Sequence, residues 1–177
     1  MDLMIVGESP SKTRPKGQEE VAFSGRTSHI LWDELKKYGI TRTDCYVTNV
    51  ITDHIEWKDI TDEIAKKNRI RLEAEIKEQQ PLVILAVGAK ARRYFKMRDS
   101  GPFPDSYIQD KKRGCWIVAC THPGYIARFP EAAGQTIESE IYLCAAMLKD
   151  LQETLKGFGL EQDNSNEPQG IASTVRR

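Results

Sequence analysis

A carboxylate, a carboxamide and an imidazole stand at the ends of three separate apolar runs in this 177-residue chain. Glu8 follows the run 3–6 across Gly7, Asn49 lies in the run 46–51 at the polar pair Thr48–Asn49 that reads as its strand's end, and His122 comes two residues after the run 116–120. A fourth run, 82–87, breaks at Gly88. A carboxylate accepts hydrogen bonds and attracts cations, a carboxamide presents a donor beside an acceptor, and a neutral imidazole donates from one nitrogen. With a helix start at Gly88, these groups suit a polar planar ligand on which charge develops. Each also has a purely structural reading. Glu8 can accept from loop amides, Asn49 can end a turn, the His122 of "THPG" can sit on the surface, and Phe23 in "VAFSGRTS" can be a core residue or a hydrophobic staple.

What must position these groups is a sheet. The four runs are short and rich in β-branched residues, and "PLVILAV" has no polar residue at all between Pro81 and Gly88, as in a strand covered on both faces. Helical spacing appears between them. Ile30, Leu31 and Leu35 recur in a segment that stops at Gly39, and Ile60, Ile64, Leu72 and Ile76 share a face ahead of Pro81. A last helix is expected from about residue 136 to 155, burying Ile137, Ile141, Cys144, Leu148, Leu151 and Leu155. Strands alternating with helices predict a three-layer α/β/α domain over residues 1–156, with a central, mostly parallel four-stranded sheet. In such sheets ligands bind outside the carboxyl ends of the strands, so the four tips are expected to converge. Residues 157–177 read as a flexible tail with Phe158 or Leu160 docked, and "SPSKTRPKGQEE" as a long exposed loop.

Lys and Arg balance Asp and Glu at 26 each, which excludes a polybasic nucleic-acid binder and leaves only local patches for such contacts. No apolar run approaches the roughly 20 residues of a membrane span, and Met1 leads directly into a strand. The expectation is a cytoplasmic or nucleoid-associated protein, monomeric and without membrane contact. Cys45, Cys115, Cys120 and Cys144 form no C-x-x-C and are read as reduced core residues rather than a disulfide or metal framework.

The order of the motifs resembles the uracil-DNA glycosylase superfamily, most closely its family 4-type members. The family's Gly-Glu-x-Pro-Gly loop corresponds to "GESPS", its Pro-Phe-Val-Gly segment to "VAFSGRTSHIL", and its Thr-Asn-Val strand end to "YVTNVI". Its Leu-Gly-x-x-Ala turn corresponds to "AVGAKA" and its His-Pro-Ser loop to "THPGYIAR". The likeness covers about residues 1–150. It implies a monofunctional enzyme that flips uracil out of DNA and hydrolyses its glycosidic bond, with no cofactor. By that likeness Glu8 and His122 are catalytic, and Ser9, Phe23 and Asn49 hold uracil. DNA is contacted by Ser11, Lys12, Gly88, Lys90, Thr121, Gly124, Tyr125 and Arg128, with Tyr125 or Ile126 as the wedge that fills the vacated stack. Three departures stand out: Ser11 replaces the loop glycine, Gly124 replaces the serine, and the cysteines do not fall where the iron–sulfur ligands of that family do. Two alternatives are a DNA-binding relative that has lost the chemistry and a small α/β nucleotide hydrolase binding phosphate at Gly88.

Overall fold

The computed structural model describes residues 1–10, 22–53, 55–98 and 105–159, the side chains of 132–135 excepted. In chain order the elements are β1 (Leu3–Gly7), α1 (Ser28–Lys36), β2 (Cys45–Asn49), α2 (Asp62–Gln79), β3 (Val83–Val87), α3 (Ala89–Tyr94), β4 (Tyr107–Asp110), β5 (Cys115–Cys120), α4 (Pro123–Arg128) and α5 (Pro130–Gly157). Single 3-10 turns at Arg42–Asp44 and Trp57–Asp59 precede β2 and α2.

Among the described residues the sheet has five strands in the order β2-β1-β3-β5-β4, not four. The first four are parallel, and β4 runs antiparallel at the edge beside β5. The additional strand escapes a reading of apolar runs because its residues alternate between exposed and half-buried, with Tyr107 50% exposed. Such a strand carries half the apolar signal of a buried one.

Both faces of the parallel strands are covered. Leu3, Ile5, Val83, Leu85, Val87, Val118 and Cys120 pack against Leu31 and Leu35 of α1, Ile126 of α4, and Ile137, Ile141, Cys144 and Leu148 of α5. Met4, Val6, Ile84, Ala86, Ile117 and Ala119 face Leu72 and Ile76 of α2, Ala91 of α3 and Phe95 just past its end. This explains why β1 and β3 are uniformly apolar and fully buried: period-two alternation vanishes when both sides are core.

After β1 the chain crosses to β2 on one side and later to β3 on the other, so the topology reverses at the crevice between β1 and β3. The register brings Gly7 level with Asn49 and Val87 level with Cys120, so the residues after each strand emerge on one rim. Helix α5 begins at Pro130, ahead of the expected start. Phe158, expected to dock, is 75% exposed, because it lies past the last buried turn of α5. Leu160 and the rest of the expected tail from residue 160 lie outside the described residues, as do Ser11 and Lys12. No helix among the described residues is long and apolar enough to cross a membrane.

Candidate active site

A cleft of about 870 Å³ opens at the β1/β3 crevice, and Glu8, Ser9, Phe23, Asn49, Lys90, His122, Gly124 and Arg128 all line it. The sheet brings together groups that are far apart in sequence. Val50 and Ile51 donate their amides to the Gly7 and Glu8 carbonyls at 2.8 and 3.0 Å, which prolongs the β1–β2 pairing past the strand ends.

Glu8 is seated by the start of α3. Its Oε1 accepts from the Lys90 amide at 3.1 Å, and a Cβ built on Gly88 would fall 2.5 Å from that same oxygen. Gly88 also adopts φ +92° and ψ 164°, a region open essentially to glycine alone. Position 88 is therefore glycine twice over, for its backbone and for the carboxylate lying against it. Its own amide donates to the Cys120 carbonyl at 2.8 Å. The amides of Gly88 and Lys90, expected to face phosphate, thus have partners within the protein.

Asn49 is 7% exposed, and no hydrogen bond joins its carboxamide to a described residue. The strand end that carries it is held by Arg71 of α2, which donates to the Asn49 carbonyl at 2.6 Å, the Val50 carbonyl at 3.3 Å and the Thr48 hydroxyl at 3.1 Å. Arg71 in turn pairs with Glu75 at 2.6 Å. The Phe23 ring and the Asn49 amide meet over Gly7, where an added Cβ would come within 2.6 Å of the ring and 2.4 Å of Asn49 Oδ1. A bare glycine floor lets both approach the same spot.

His122 caps α4. Its Nδ1 accepts the Gly124 amide at 3.0 Å, so Nδ1 carries no proton and the neutral ring bears its hydrogen on Nε2. Burial holds the imidazole below its usual 6.5; Glu8 opposes this and Arg128 adds to it. A Cβ at Gly124 would lie 3.1 Å from His122 Nδ1, so a serine here would press on the ring. Thr121 is committed elsewhere, its amide and hydroxyl donating to Glu140 of α5 at 2.6 and 3.1 Å. Burial raises the Glu140 carboxyl, and the Thr121 bonds partly restore it. The expected wedge Ile126 is only 6% exposed and belongs to the core, since the turn of α4 that presents Tyr125 outward carries Ile126 inward. Tyr125 is 52% exposed beside Phe129, with ring centroids 5.0 Å apart.

Trp57 also lines the cleft, and nothing in the sequence reading singled it out. Its indole N–H donates to the Ser9 hydroxyl at 3.3 Å, and the Lys90 ammonium lies 3.9 Å from its ring centroid. The one trace it leaves is a large aromatic in a polar stretch that no helical or strand period claims.

The model of the uracil DNA glycosylase superfamily matches residues 1–144, about four-fifths of the chain. The chain belongs to that superfamily. The match runs from β1 through the first half of α5 and so contains every group of the cleft named above. No curated protein matches the chain. Membership in the uracil DNA glycosylase superfamily carries a general function with it, a glycosylase-like hydrolase that binds DNA and serves DNA repair.

Proposed function

We propose that the protein is a monofunctional uracil-DNA glycosylase that extracts uracil from DNA and hydrolyses its N-glycosidic bond, leaving an abasic site. The observation that carries this reading is the convergence of Glu8, Phe23, Asn49 and His122 on one cleft at the strand tips. Extraction costs a few kcal/mol of stacking and pairing, which the pocket must offset. Phe23 stacks on the flipped ring, contributing ~1–3 kcal/mol. The Asn49 NH₂ donates to O4 and its C=O accepts from N3–H; cytosine presents the reverse polarity on that edge.

Breaking the C1′–N1 bond leaves the electron pair on uracil and positive charge on the sugar, as in glycoside hydrolysis. His122, neutral with its proton on Nε2, donates to O2 as negative charge builds there. Glu8 faces the opposite demand: its carboxylate stabilises the cationic sugar, orients the water whose oxygen bonds to C1′, and accepts the proton this water releases, a proton that ends on the departed uracil anion. Backbone phosphates meet Lys90 and Arg128 at the rim, and by the same reading Ser11 and Lys12, with Tyr125 as the exposed wedge; the Gly124 amide, committed to His122 Nδ1, is not among the donors. The enzyme works as a monomer on uracil-containing DNA.

The reading is of a family 4-type member that lacks the iron–sulfur centre. The four thiols do not fit such a group. Cys45, Cys120 and Cys144 lie in the core on the α1/α5 side of the sheet and Cys115 on the α2/α3 side, so they cannot surround one cluster. Burial raises each thiol, those of Cys45, Cys115 and Cys144 to about 12, so all four remain protonated near neutrality.

The test is incubation with a labelled oligonucleotide containing one uracil, followed by alkaline cleavage of abasic sites, with and without chelator. We expect cleavage at the uracil, unchanged by chelator. An intact strand at stoichiometric enzyme contradicts the reading.

A further inference from the structure

Phe23 holds its ring against Asn49 over Gly7, yet its backbone sits at φ +54°, in the left-handed region that a bulky residue avoids. Such a residue persists only where its surroundings over-determine it. Two side chains do so here. Trp32 of α1 donates its indole N–H to the Phe23 carbonyl at 2.9 Å. Arg42, from the turn ahead of β2, donates Nη1–H to the same oxygen at 3.3 Å and Nη2–H to the Ala22 carbonyl at 2.5 Å. The two donors also support each other, with the Arg42 guanidinium 5.2 Å from the centroid of the Trp32 ring. The result is a planar fork, braced on an aromatic face, gripping two successive carbonyls.

We propose that Trp32 and Arg42 are positioning residues for base capture: they clamp the backbone of Ala22 and Phe23 and thereby fix the ring on which the extracted base stacks. This rests on the reading of the cleft as a uracil site. Neither residue is placed among the groups that act on the bond. Without the clamp Phe23 relaxes to a negative φ, which redirects its Cα–Cβ bond and carries the ring off the Gly7 floor. The loss falls on binding of the base in ground state and transition state alike, so it raises KM and leaves kcat largely in place.

The experiment is a double-mutant cycle. Trp32→Phe keeps a ring and removes the indole donor; Arg42→Met keeps an unbranched apolar stem and removes the guanidinium. Each variant and the pair are made in the native background and in Phe23→Ala, and the inhibition constant of free uracil is read beside KM and kcat on the uracil oligonucleotide. For the pair we expect the uracil constant and KM to rise on the order of tenfold, about the worth of one base–aromatic stack, with kcat changed by less than about threefold. In the Phe23→Ala background the same pair is expected to change the uracil constant by less than about twofold, because the ring it positions is gone. Equal losses in both backgrounds, or no loss in either, overturn the clamp. If the pair does not fold, the two single variants carry the same comparison. A native protein that neither releases nor binds uracil fails differently: it removes the reading of the cleft, and the clamp's purpose with it.

Discussion

Replacing His122 with Ala is expected to lower kcat for uracil release by 10²–10³-fold, equivalent to about 2.7–4 kcal/mol, while DNA affinity changes by no more than a few-fold. The size follows from what the ring is built to do. A preorganised donor helps most where charge appears only in the transition state, and the Gly124 amide on Nδ1 fixes the proton on Nε2 before substrate arrives. The pH dependence has a definite sign. The folded-state pKa of His122 lies below the usual 6.5, so as pH falls through that value the unfolded chain takes up a proton first. The contribution of this ring to stability is therefore complete above about 6.5 and is lost as pH drops toward the depressed folded value. Thermal unfolding of His122→Ala should accordingly be less sensitive to pH in that window than that of the native protein. Matching losses in kcat and DNA affinity would instead assign His122 to binding or folding.

Glu8→Gln is the second large effect, a fall in kcat of about 10²-fold or more, the range for a positioned acid–base group. The substitution keeps the shape of the side chain while removing the charge proposed to answer the cationic sugar. Single-turnover rates at saturating enzyme separate this from weakened binding. Gly88→Ala is its companion, since the added methyl strikes Glu8 Oε1 and strains a glycine-only backbone by ~1–3 kcal/mol. We expect its Tm to fall by roughly 2–12 °C and its rate at 25 °C to fall although the chain remains folded. A full native rate for Glu8→Gln removes the carboxylate from the mechanism.

The residues that the sequence made legible are those whose position follows from strand ends alone. Glu8 and His122 each sit just past an apolar run and Asn49 is the last residue of β2, and a parallel sheet brings such tips to one rim whatever lies between them. Strand β4 was hidden because an edge strand with half its side chains in solvent leaves no apolar run. Trp57, Arg71, Arg42 and Glu140 were hidden for another reason. Each acts through a hydrogen bond to an element distant in the chain, and such a bond imposes no period on the sequence around it. The left-handed backbone of Phe23 is equally silent, since a phenylalanine gives no sign of the φ that its neighbours impose. Ile126 shows the opposite error, where nearness to a motif suggested a surface role and the rotation of a short helix put the side chain in the core.

The central claim is that Asn49 reads the base, and the most direct measurement is release of uracil and of cytosine from matched oligonucleotides by the native protein and by Asn49→Asp. An ionised carboxylate only accepts hydrogen bonds, so it repels uracil O4 and suits the amino group of cytosine, a change on the order of 1–3 kcal/mol in preference. The native protein should release uracil and spare cytosine, and the variant should lose or invert that order. An Asn49→Asp protein that frees uracil at the native rate and still ignores cytosine would contradict the account.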